Sequence, residues 1–183
     1  MAKKRNNRKL IDKFMVSFGI VAAVVLLIMG GLAWMTYSFT SSSVKTELAS
    51  QKIYFPPLGS PALASPLIGP YLNRYAGQEL LTGPEAKAYA NHFIAVHLSE
   101  IAGGKTYAQV STESIADPSN IQLKTEAATL FQGETLRGLL LGDAYAFATI
   151  GSIAEIVAVA LLIGGVVMVV LVLLGLAHIY KFD

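Results

Sequence analysis

The residues best equipped for chemistry in this chain are few. His92 and His97 stand close to Glu100, and these side-chain types are ordinary ligands of zinc and related cations. Their spacing is only partly favourable. A helical ligand pair wants members three or four residues apart, whereas a separation of five puts the two imidazoles about 140° apart around the axis. Glu100 does follow His97 at the better spacing, which leaves this trio as the chain's candidate metal ligands. Gly103-Gly-Lys-Thr106 ends like a phosphate-binding loop, but the full pattern requires a glycine where Ser99 stands, and no strand precedes it. The same residues read more simply as a helix C-cap followed by a turn. His178 has no evident partner as a second haem ligand. No Ser-His-Asp order, carboxylate pair or glycine-rich cofactor turn stands out. The reading is therefore a protein that is not an enzyme and holds no cofactor; the alternative is a tethered module that binds a ligand or metal through His92, His97 and Glu100.

Composition accounts for this scarcity. The chain has 183 residues, 54% of them hydrophobic and only 14% charged, the balance of a small protein with two membrane spans and one modest region between them. Without cysteine, disulfides, iron–sulfur clusters and lipidated thiols are excluded. Residues 155–179 form an almost uncharged run long enough to cross a hydrocarbon core of ~30 Å at ~1.5 Å per residue. Residues 14–39 form a second such run, too long for a signal-peptide core and ending in Trp34, Tyr37 and Phe39, the pattern of an interfacial aromatic belt.

Charge gives the direction. Lys3, Lys4, Arg5, Arg8, Lys9 and Lys13 precede the first span, and a polybasic stretch in that position is a topology signal rather than a nucleic-acid site. The expected layout is all-α, with two transmembrane helices, a mostly helical exported region and an extended Pro-rich segment. Residues 1–13 are a cytoplasmic basic tail and 14–39 the first span. Residues 40–81 hold the exported Pro-rich segment, 82–154 an exported helical region and 155–179 the second span, which continues a long exported helix; residues 180–183 return to the cytoplasm. Both termini are then cytoplasmic and the protein is a multi-pass component of the plasma membrane.

Five of the seven prolines fall in residues 53–70, a spacing that predicts extended chain rather than helix. The segment is also apolar, with Tyr54, Phe55, Leu58, Leu63, Leu67 and Ile68, and such a strip docks either on this protein's own helices or on a partner subunit. Thr82-Gly-Pro-Glu85 predicts a helix start with a capping box, stopped by Gly103-Gly104. Tyr89, Phe93 and Val96, beside Ala90, Ile94, Leu98 and Ile101, make its expected buried face. Ser119 and Gln122 predict a second start, with helix from Asn120 almost to the end. Glu155 at the mouth of the last span and the small residues Gly164 and Gly165 within it are further expected partner contacts, beside Gly19, Ala22, Ala23, Gly30, Gly31 and Gly175 for close helix approach. The expected partners are the lipid bilayer and other integral membrane subunits, with no nucleic acid.

The stretch Ala90-Asn-His-Phe-Ile-Ala-Val-His-Leu-Ser-Glu-Ile-Ala-Gly-Gly-Lys-Thr-Tyr107, with the helical return to the membrane, resembles a group of small two-span actinobacterial membrane proteins. The resemblance covers roughly residues 86–180, Gly104-Lys-Thr-Tyr107 being its most recognisable part. Size and layout also resemble accessory subunits of the actinobacterial cytochrome bc–cytochrome oxidase supercomplex. That resemblance implies a scaffolding role in a respiratory assembly.

Overall fold

A computed structural model describes residues 2–182 and the side chains of residues 10–181; the side chains of Lys3, Lys4, Arg5, Arg8 and Lys9, on which the topology reading rests, lie outside that range, as does Asp183. All regular structure among the described residues is helical, apart from one antiparallel bridge between Tyr54 and Glu79. In order come α1 (Ala2–Gln51), α2 (Pro61–Ala64), α3 (Gly69–Leu72), α4 (Gly83–Tyr89), α5 (Ala95–Ile101), α6 (Tyr107–Ala116), α7 (Ile121–Leu139) and α8 (Phe147–Phe182). Wide π-helical turns, Ala90–Ile94 and Leu140–Ala146, join α4 to α5 and α7 to α8. The helical runs Leu10–Gln51 and Ile121–Lys181 are long and apolar enough to cross a membrane. The chain divides into two units, residues 1–39 with 151–183 and residues 40–150.

The first unit is a pair of helices with an inverted core. Every fully buried residue described in it is glycine or alanine: Gly19, Ala23 and Gly30 on α1, and Gly151, Ala158 and Gly165 on α8. Ala23 and Gly30 are seven apart, as are Gly151, Ala158 and Gly165, the repeat of a seam along which two helices wind about each other. A methyl added at Gly30 would stand 2.8 Å from Leu162 Cγ, and one at Gly165 2.7 Å from Leu27 Cδ2. Gly19 faces Val172 and Gly175 faces Val16 in the same way, so numbers rise along one helix as they fall along the other, and the pair is antiparallel. Large side chains such as Phe14, Phe18, Ile28, Ile163 and Leu174 point outward. Small residues inside and large apolar ones outside is the arrangement that suits helices associating in lipid.

The second unit has a conventional core. Val44 and Leu48 from the end of α1 bury together with Phe55, Leu72, Leu80, Ile94, Leu98, Val110, Leu130 and Leu140. Sequence signals start its helices. Thr82 accepts from the Glu85 amide while the Glu85 carboxylate takes the Thr82 amide at 2.9 Å, the expected capping box. Gly103 and Gly104 adopt φ of 56° and 84°, and the Gly104 amide donates to the Ser99 carbonyl at 2.8 Å, closing α5 as expected. Thr106 and Gln109 form a further capping box that opens α6, an element missing from the sequence reading although its Thr-x-x-Gln signal is present. The start of α7 falls one residue later than expected. Asp117 Oδ1 engages the Ser119 hydroxyl at 2.6 Å, so Asn120 caps instead and accepts from the Leu123 amide at 3.1 Å.

The Pro-rich segment is folded rather than extended. Phe55 N–H donates to the Gln78 carbonyl, Gly77 N–H to Pro56 and Leu80 N–H to Ile53, closing a loop over the residues between. Pro61 and Pro70 sit in the first turns of α2 and α3, where the missing amide costs nothing. These two short helices cross so closely that a methyl on Gly69 would stand 2.5 Å from the Leu63 carbonyl.

The π-helical turn after α4 also explains which face is buried. Ala86, Ala90, Ile94, Leu98 and Ala102 all face the core at intervals of four. A continuous α-helix would rotate such a series off one face by about 40° per step, and the wider turn delays that rotation. Ile101, expected on the buried face, is exposed.

Candidate functional site

The candidate metal ligands of the alternative reading do not converge. His92 lies flat on Tyr71, rings 3.6 Å apart and 5° from parallel. His97 Nδ1 is 2.8 Å from the Phe93 carbonyl, and Glu100 is exposed. Among the described residues no three His, Asp or Glu side chains are grouped to hold a cation. Lys105 of the phosphate-loop-like stretch is paired with Glu113 at 2.7 Å, an exposed ion pair worth at most about 1 kcal/mol.

The apolar strip divides. Phe55, Leu63 and Ile68, expected as partner contacts, are buried in the unit's own core, because the folded loop turns them inward. Phe55 packs its ring 5.1 Å from that of Tyr75 and edge-on to Tyr89. Tyr54, Leu58 and Leu67 point outward, exposed by 57%, 73% and 61%. Gly165 is likewise taken up by the helix seam, whereas Gly164 and Glu155 are partly exposed.

Burial raises the Tyr89 phenol above its ordinary value of 10.0. The folded state therefore holds that proton more tightly than the unfolded chain does. The stability this contributes is complete below pH 10.0 and is lost as pH rises through the folded value. The wild-type melting temperature is expected to fall faster above about pH 10 than that of Tyr89→Phe, measured in one detergent across an alkaline pH series.

Two of the concavities in this unit stand out. One, of about 200 Å³, is an apolar groove lined by Val44, Leu48, Leu139, Leu140, Ala144 and Phe147, with Glu47 and Asp143 at its margin. The other is a polar cleft of about 340 Å³ formed by Tyr71, Arg74, Pro84, Lys87, Ala88, Asn91, His92 and Tyr145. Both π-helical turns contribute to the cleft, one through Asn91 and His92 and the other through Tyr145, and such turns are frequent at functional sites.

Its cations are set against aromatic rings. The Arg74 guanidinium lies 4.5 Å over Tyr75, and Lys87 Nζ lies 4.5 Å over Tyr145 while donating to the Tyr145 hydroxyl at 3.0 Å. That hydrogen bond, then the lysine charge, lowers the Tyr145 phenol below its ordinary value. Behind the cleft, Arg137 donates to Asn91 Oδ1 at 3.3 Å and to Glu134 at 3.2 Å. The bond to Oδ1 fixes the amide so that Asn91 Nδ2 is the group left to donate. None of the lining residues is a carboxylate. The sequence offered no warning of this grouping, because Lys87 and Tyr145 are 58 residues apart and each looks like an ordinary helix-surface residue.

Comparison with family models, curated proteins and solved structures finds no match to this chain, so its function is read from its own residues.

Proposed function

We propose that this chain is a non-catalytic accessory subunit that its two long helices hold in the plasma membrane, where it docks on other integral membrane proteins. The observation that carries the reading is the two-sided loop of residues 53–80. Its inner residues, Phe55, Leu63 and Ile68, anchor it to the core, while Tyr54, Leu58 and Leu67 stand in solvent on a backbone closed by its own hydrogen bonds. Large apolar side chains held outward on an ordered loop offer a protein partner apolar surface to bury without reordering the backbone. The apolar length of the helices, with their small-residue seam and large outward side chains, supports residence in a bilayer. Positive charge before the first span supports cytoplasmic termini, with residues 40–154 outside. An assembly of the cytochrome bc–oxidase type is the specific partner suggested by size and layout.

Purification in mild detergent followed by native electrophoresis and mass spectrometry tests this. Integral membrane proteins are expected to co-migrate in fixed ratio, and Leu58→Asp with Leu67→Asp is expected to release them while leaving the melting temperature nearly unchanged. Migration of the unaltered protein as a lone monomer would sink the reading.

A further inference from the structure

We infer that the cleft between Tyr71, Arg74, Lys87, Asn91 and Tyr145 is a binding site for a phosphate group carried by a small molecule or a lipid headgroup. Its polar lining is rich in donors: the Arg74 fork, the Lys87 ammonium, the free amide hydrogens of Asn91, and the Tyr145 hydroxyl, whose oxygen already accepts from Lys87, beside the Tyr71 hydroxyl and the His92 ring, each of which can donate or accept. A surface that offers donors and no carboxylate selects against cations and favours an oxyanion.

Arg74 and Lys87 have no ion-pair partner among the described residues, and each is positioned by an aromatic ring instead. A ring orients a cation without neutralising it, so the charge stays available to a ligand. The acid nearest in this network, Glu134, is engaged by Arg137, and Arg137 in turn orients Asn91 toward the cleft.

Direction, rather than number, separates phosphate from carboxylate. The four groups come from three stretches of chain, one after α3, two on the α4 run and one on the Leu140–Ala146 turn, and suit the oxygens of a tetrahedral anion better than those of a carboxylate, whose lone pairs lie in one plane. The cleft volume of about 340 Å³ exceeds a bare ion, and the stacked Tyr71–His92 pair supplies a flat wall for the rest of the ligand.

The test uses the full chain in an uncharged detergent at fixed ionic strength. It is titrated by calorimetry with inorganic phosphate, pyrophosphate, dihexanoyl-phosphatidylglycerol and, as a carboxylate control, acetate. Saturable binding of a phosphate probe is expected, weakened about ten-fold or more by Arg74→Gln and again by Lys87→Gln. Both side chains are exposed, so the variants should melt as the unaltered protein does in the absence of ligand. Saturation by phosphate or pyrophosphate identifies a free phosphate ligand, and saturation by the lipid alone identifies a headgroup. No saturable binding of any phosphate probe, equal binding of acetate, or unchanged affinity in the double variant would overturn the assignment.

Discussion

Phe55→Ala is expected to destabilise the unit of residues 40–150 by about 3–5 kcal/mol, whereas Leu58→Ala, three positions on, is expected to change it by less than about 0.5 kcal/mol. The contrast follows from the folded loop. Phe55 is 2% exposed and touches two further rings, so truncation removes apolar burial and leaves a cavity between Tyr75 and Tyr89. Backbone bonds on both sides of it limit the collapse that would fill such a cavity. Leu58 makes no comparable contact, being 73% exposed. Denaturant titration of the two variants in detergent, followed by pulse proteolysis, measures the difference. Equal stability of the two would mean that the loop is not held by its inner face.

Gly30→Leu and Gly165→Leu are each expected to destabilise the helix pair by about 1–3 kcal/mol, while Gly31→Leu leaves it intact. A methyl at Gly30 already meets Leu162 Cγ at 2.8 Å and the Leu162 amide nitrogen at 3.2 Å, and the backbone cannot swing aside as a side chain can. At Gly31 nothing lies within 4 Å. Because both harmful substitutions part the same seam, the double variant should cost less than their sum. Resistance to unfolding by graded sodium dodecyl sulfate, read by helix–helix energy transfer, ranks the four proteins. A Gly31→Leu variant as weak as Gly30→Leu would overturn the assigned facing of α1.

What could be read from the sequence was what neighbouring residues decide. The two long apolar helices, the Thr82–Glu85 cap, the glycine stop at Gly103-Gly104 and the helix running on from Asn120 all depend on contacts within a turn or two. The glycines of the spans were visible as small residues, but their partners were not; the seven-residue rhythm of Gly151, Ala158 and Gly165 was the available signal. The Pro-rich segment departs from its extended pattern because proline is as well tolerated in a helix's first turn, where Pro61 and Pro70 stand, as in extended chain. The π-helical turns have no local signature, since tertiary packing sets the register change. The cleft was invisible for the same reason: its residues come from three stretches of chain, and only the fold sets the lysine of one against the tyrosine of another.

The seam of glycine and alanine has a consequence for the chain's integrity. It joins residues 16–30 to residues 162–175 without using the residues between them. A protease cut anywhere in residues 40–150 would sever the covalent thread but not the joint, and the two pieces would remain a non-covalent pair. Residues 16–30 and 162–175 are thus linked twice, once by peptide bonds and once by interlocked helix surfaces.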